Sequence, residues 1–232
     1  MPPATPIPFR PPPRADEPRP CLRCKTQIVA AGTMCVSCAH AIERESWRGY
    51  VDIAYAEARK SVPARYRAAR FDGDDHRAPE VSERAVGLAH RSAVFAGPTS
   101  AGKTWFACAV LHEHLRDAAD RWQPGRPESI EHAERLVRLA ATSRYERAYE
   151  LATAAAWDER WAEWRGAELL IVDDLGLEPA SGLAAITNIL IERYDRRLQT
   201  LITWVHVDAD ALGQRYGDGV LRRLGAGVWI SC

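Results

Sequence analysis

One short run constrains this chain more than any other: SAVFAGPTSAGKTWFA, residues 92–107. It reads as an apolar strand, a loop of Gly97, Pro98, Thr99, Ser100, Ala101 and Gly102, and a helix opening at Lys103 and Thr104. That is G-x-x-x-x-G-K-[ST] at every fixed position and in the strand, loop, helix order the motif requires. Gly97 and Gly102 let the backbone curl so that successive amides converge on an anion, and the helix adds its positive end. Lys103 then reaches the β- and γ-phosphates of ATP, and the Thr104 hydroxyl is placed to ligate Mg²⁺. The alternative, a glycine turn that merely opens a helix, does not need a lysine and a hydroxyl at these two places.

A second signal agrees with the first. ELLIVDD, residues 168–174, is an apolar strand ending in Asp173 and Asp174. Paired with a phosphate loop, such acids form a Walker B pair: Asp173 holds the metal through its water shell, and Asp174 orients or deprotonates the attacking water. Two acids at a strand end can instead cap the next helix.

From about residue 62 short apolar runs alternate with longer amphipathic segments, the pattern of parallel strands joined by crossover helices. The runs are SAVFAG near 92, LVRLAAT near 136, ELLIVDD near 168, TLITWVHV near 200 and GVWIS near 227, with helices beginning at Lys103, Ser143, Leu183 and Asp208. The expected fold is α/β, a parallel sheet of about five strands with helices on both faces, preceded by a small zinc-binding module and a helix.

The front of the chain is different in kind. Residues 1–20 are rich in proline and lack apolar periodicity, so an extended, disordered tail is expected. CLRCKTQIVAAGTMCVSC then places Cys21, Cys24, Cys35 and Cys38 as C-x2-C-x10-C-x2-C. Two such knuckles bring four thiolates around one Zn²⁺, whose binding supplies folding energy that so short a segment cannot draw from a core. Disulfide pairing is the alternative and needs an oxidising compartment. Trp47, Val51, Ala54 and Ala58 recur at helical spacing, giving an amphipathic helix that ends before Pro63. The expected division is a tail at 1–20, a docking module at 21–60 and an ATPase domain at 61–232.

With these motifs in place, the chain resembles the AAA+ ATPases of the DnaC/IstB group, bacterial and phage helicase loaders and transposition helpers. The resemblance runs over roughly residues 60–231, on SVPARYRAARFD, GPTSAGKTWFA, LLIVDDLG and RYGDGVLRRLGAGVWIS. It implies ATP at the junction of two subunits of a homo-oligomer, with a neighbour's arginine on the γ-phosphate. Carried onto the RRL segment, that arginine is Arg223, with Arg222 second. It implies an ATP-dependent loader that binds single-stranded DNA and assembles a replicative helicase, or alternatively a helper that delivers target DNA to a transposase. A small-molecule kinase is the rival from another class, but no acceptor base beyond Asp174 is evident.

Two positions depart from the family pattern. The polar sensor, often Asn, is missing from Thr203-Trp204-Val205, leaving Thr203 or His206 as substitutes. Asp174 stands where many such motors have Glu, and its shorter reach suggests a slow switch, since attack geometry is sensitive to about an ångström.

Charge narrows the partners. The chain is formally neutral, yet residues 1–70 carry 12 Lys and Arg against 6 Asp and Glu, and the remainder 19 against 25. A polyanion or acidic partner would meet the basic front, unless that front is only a solvated tail. No apolar run approaches the roughly 18 residues of a membrane helix. The first residues contain no continuous apolar stretch of the secretory type, so the expected location is cytoplasmic.

Some residues read as structural. Cys108 falls on an apolar helix face, and Trp157, Trp161 and Trp164 form a core stripe at helical spacing. His112 and His114, two apart on a helix, do not share a face and read as surface residues. Arg144 and Arg147 are weaker candidates for DNA phosphate contacts.

Overall fold

The computed structural model of the chain describes residues 18–29, 33–71, 79–88, 91–154 and 158–232. Of the expected features, the tail up to residue 17 and Trp157 lie outside them. The chain divides into two compact units, Met1–Gly49 and Tyr50–Cys232, the division falling inside the first helix.

In the first unit, β1 (Arg19–Pro20) pairs antiparallel with β2 (Ile28–Val29). The turn between them carries Cys21 and Cys24, and Lys25 takes a left-handed φ of 60° to close it. Helix α1 (Val36–Ala58) follows.

The second unit is built on five parallel strands in the order β4 (Arg144–Arg147), β5 (Leu169–Leu175), β6 (Gln199–Trp204), β3 (Ala93–Ala96), β7 (Val228–Ser231). The connecting helices are α2 (Pro79–Val86), α3 (Lys103–Asp120), α4 (Glu128–Thr142), α5 (Ala148–Thr153), α6 (Arg160–Gly166), α7 (Leu183–Asp195), α8 (Ala209–Tyr216) and α9 (Asp218–Gly225). Parallel neighbours buried on both faces demand near-continuous apolar strands. AVFA and LLIV supply them, every residue buried.

Strand alternation sorts the side chains. Val94, Ala96, Leu170, Val172, Ile202 and Trp204 face one core with α7, α8 and α9. Their neighbours Phe95, Ile171, Asp173, Leu201 and Thr203 therefore face the other side. There Phe95 stacks on Phe106 of α3 at 6.4 Å.

Two expected elements are corrected. LVRLAAT is no strand: it is the end of α4, with Leu136, Leu139 and Ala140 buried at the i, i+3, i+4 spacing of a helix. The strand is the polar RYER, where a helix was expected to begin at Ser143; helix α5 starts only at Ala148. RYER lies at the sheet edge, so Tyr145 is buried while its neighbours are only partly covered or exposed, and the charges of Arg144 and Arg147 suit an edge. Nor are His112 and His114 on the surface. They are 2% and 5% exposed, and His112 Nδ1 lies 2.5 Å from the Ala69 carbonyl oxygen. Trp164 is fully buried and Trp161 packs beside it, while Cys108 is buried.

Candidate functional site

The loop from Gly97 to Gly102 leaves the carboxyl end of β3 and feeds α3. Ser100 (φ 70°) and Gly102 (φ 87°) hold it in left-handed conformations, which produce a concave run of amides. Gly102 occupies the cap position of α3 and offers no side chain to it, so the first helical amides keep their outward donors. Lys103 is 8% exposed and folds over the loop, its Nζ donating to the carbonyls of Gly97 (2.9 Å) and Pro98 (2.7 Å). Burial lowers its pKa, and the charges of Cys232, Asp174 and Asp173 act against that lowering.

Asp173 is 1% exposed and sits where four segments meet. Its Oδ1 accepts from Thr104 (2.7 Å) and from Thr203 (2.7 Å), and its Oδ2 accepts from Tyr145 (2.5 Å). The strand alternation described above explains the meeting, because Asp173, Thr203 and Tyr145 all point to the α3 side. Burial and the Asp173 charge push the Tyr145 hydroxyl well above its ordinary pKa, so it remains a donor.

Asp174 lies within an irregularity in the β5–β6 pairing between Val172 and Leu175. With φ 57° its side chain turns out to solvent, while its amide donates to Thr203 Oγ1 (2.8 Å). Partial burial first and the Asp173 charge second raise its carboxyl above the usual range, partly offset by Arg147, Lys103 and Arg65. A cavity of about 380 Å³ joins Thr99, Ser100, Lys103, Thr104, Asp173 and Asp174. Gly102, Arg65, Tyr66, Trp105, Leu177 and Val205 complete its lining.

The chain is 32% identical over 202 residues to a putative insertion sequence ATP-binding protein of Sinorhizobium fredii, over 79% of this chain and 74% of that one. The chain belongs to the DnaC/IstB-type AAA+ ATPases. A second insertion sequence ATP-binding protein from the same organism is 33% identical, covering 58% of this chain and half of the relative. Among solved structures, the DnaC helicase loader superposes with a TM-score of 0.52 at 16% identity, over 73% of this chain and 99% of that one. A putative primosome component from Streptococcus pyogenes reaches 0.50 at 18% identity, over 74% and 90%. At such identities these two structures support the fold. No protein-family profile matches the chain.

Within this AAA+ frame the remaining expected residues can be located. Arg223 is not beside its own phosphate loop. It lines a separate hollow with Arg91, Ser92, Gln199 and Gly227, at the amino ends of β3, β6 and β7, and contacts Asp195 (3.5 Å) and the Gly219 carbonyl (3.1 Å). Arg222 is exposed. Thr203 is engaged with both acids, and Val205 lines the cavity with an apolar surface. Tyr145 escaped the sequence reading because its strand was assigned to a helix. Glu178, buried four residues after Asp174, escaped because no spacing rule marks it.

In the first unit Cys21, Cys24, Cys35 and Cys38 bring their sulfurs within 4.8 Å of one another. Cys24 and Cys35 are 3.9 Å apart, far beyond a disulfide bond, and the Cys35 amide donates to the Cys21 sulfur (3.3 Å). A hydrogen bond with Thr26, then one with Gln27, lower the Cys24 thiol to about 5, whereas hydrogen bonding with Cys35 and burial raise Cys38 to about 12. Four converging sulfurs with amide support fit a tetrahedral soft-metal site. Among the described residues no helix is long and apolar enough to cross a membrane.

Proposed function

We propose that this protein is an ATP-driven assembly switch acting on DNA. The observation that carries the reading is the junction of Thr104 with Asp173, which joins the phosphate loop to the Walker B strand across 69 residues of sequence. Gly97 to Thr104 would wrap the phosphates of ATP, with Lys103 on the β- and γ-groups. Thr104 and Asp173 would hold Mg²⁺, which supplies neutralising charge for the phosphates. Asp174 faces the cavity from an exposed, raised-pKa position suited to taking a proton from water. A planar, permanently charged guanidinium suits a phosphate contact, and Arg223 lies at the opposite end of the sheet from its own loop, so in a homo-oligomer it would serve a neighbour's site. Turnover would be slow, because Asp174 reaches less far than a glutamate and the Val205 side chain offers no amide to the reacting water, and it would be raised by DNA or a partner.

The cysteine unit would hold one Zn²⁺ through Cys21, Cys24, Cys35 and Cys38 and serve as a partner-docking arm. The sequence relatives named for insertion sequences favour delivery of single-stranded or target DNA to a transposase. Loading of a replicative helicase uses the same switch and is the second reading, helicase loading being the role named for a solved structure of the same fold.

Three measurements test this. Phosphate release should rise with single-stranded DNA and ignore small acceptor molecules; transfer of phosphate to a small molecule would overturn the reading. Pull-down from native extract with and without ATP should bring a transposase or a hexameric helicase. Elemental analysis should find one zinc per chain, lost in Cys21→Ser.

A further inference from the structure

Four residues after the exposed Asp174 is a buried carboxylate that the site described above does not use. Glu178 is 3% exposed, and its carboxylate accepts three hydrogen bonds from two separate segments. Its Oε2 accepts from the Gly176 amide (2.7 Å), two residues after Asp174. Its Oε1 accepts from Arg215 Nε (2.8 Å) and from the Tyr216 hydroxyl (2.6 Å), both at the end of α8. Arg215 also donates to the Glu178 carbonyl (2.7 Å), so the side chain and the main chain of one residue are gripped together.

The end of β5 and the turn so held are strained and tightly seated. Asp174 at φ 57° is in a region that costs a non-glycine residue energy unless the surroundings fix it. Gly176, at φ 102°, lies against Trp204, where a Cβ would stand 2.5 Å from the indole ring. Trp204 in turn packs on Tyr216 at 6.2 Å. Helix α8 is itself locked to α9, since a Cβ on Gly213 would meet Leu221 at 2.8 Å, and α9 carries Arg223.

We propose that Glu178, clamped by Arg215 and Tyr216, is a positioning residue that holds Asp174 in its attacking conformation and ties it to the α8–α9 pair. A neighbour's site engaged through Arg223 would pull on α9, and the clamp would pass that movement to the carboxylate of the same subunit. The coupling rests on the hydrolysis reading above, whereas the clamp itself is testable without it.

The experiment compares Glu178→Gln and Tyr216→Phe with the wild-type chain by fluorescent-nucleotide binding, phosphate release at saturating ATP, and amide hydrogen exchange. Glu178→Gln should keep nucleotide affinity within about threefold and lose about tenfold in phosphate release, the cost of a misplaced reacting group. Amide exchange over residues 174–177 should accelerate, while that of the loop at 97–104 stays unchanged. Tyr216→Phe, which keeps the carboxylate and removes one donor, should move both readouts the same way by a smaller factor and carries the test if Glu178→Gln does not fold. Unchanged exchange over 174–177 in the folded variants, or turnover falling only in step with affinity, would overturn the proposal. If the wild-type chain releases no phosphate, the hydrolysis reading fails on its own and the exchange comparison alone decides the clamp.

Discussion

The two ends of the parallel sheet hold their most deeply buried charges, Asp173 and Arg193, differently. At the carboxyl end Asp173 accepts three hydroxyl donors, from Thr104, Thr203 and Tyr145. At the amino end Arg193, wholly buried, donates to the carbonyls of Trp164, Ala167 and Gln199 and to the Thr200 hydroxyl. Hydroxyls rotate and can trade one acceptor for another, so a carboxylate held by them can accept a cation without unfolding its surroundings. Main-chain carbonyls cannot turn away, so the arginine is a fixed rivet between α6, α7 and β6. Burial, and after it the Arg196 charge, lower the Arg193 pKa to about 9, with the Glu168 carboxylate acting against them. The difference separates a site from a fastening.

Substitutions at the two ends should break that contrast in order of size. Arg193→Met leaves three buried carbonyls without a donor and should cost about 3 to 5 kcal/mol of stability in chemical denaturation, the range for breaking a buried charged network. Asp173→Asn should leave stability nearly intact yet reduce magnesium-dependent phosphate release by about a hundredfold, since the proposed metal ligand is lost while the packing is kept. If Asp173→Asn unfolds the chain as Arg193→Met does, the two charges are alike and the contrast fails.

Tyr145→Phe removes one of the three hydroxyls and should raise the magnesium requirement by about tenfold, the scale of an outer-shell contact to a metal ligand. Val205→Asn tests the opposite direction. An amide at this cavity-lining position should increase phosphate release by a few fold, about the effect of one weak polar contact in the transition state.

The smallest effect concerns pH. Asp174 titrates above an ordinary aspartate, so the folded state binds its proton more readily than the unfolded one. Its contribution to stability therefore falls as pH rises through the folded pKa, and Asp174→Asn should flatten that dependence in melting curves. Phosphate release should show an acid limb at a pH above the ordinary carboxylate value, absent from the residual activity of Asp174→Asn.

The sequence displayed the phosphate loop and the acid pair because each motif is local: a fixed spacing at the end of an apolar strand. It hid Tyr145 because an edge strand needs little apolar character, and RYER carries the signature of a surface, while LVRLAAT beside it is apolar enough to pass for a strand. It hid Glu178 and Arg193 for another reason. Their partners come from helices and strands distant in sequence, and a buried charge looks like a surface charge until the fold supplies its donors or acceptors. His112 belongs with them, since its partner in the interior is the carbonyl of Ala69, distant in sequence.

The central claim is that the loop at 97–104 and Asp173 together grip Mg·ATP. Titration calorimetry of Mg·ATP into the wild-type chain and into Lys103→Ala measures this directly. The predicted result is saturable binding to the wild type, at about micromolar strength and near one nucleotide per chain, and none to the variant, with the zinc content and melting of the two proteins alike. Equal heats from both proteins, or no heat from the wild type, would contradict the account.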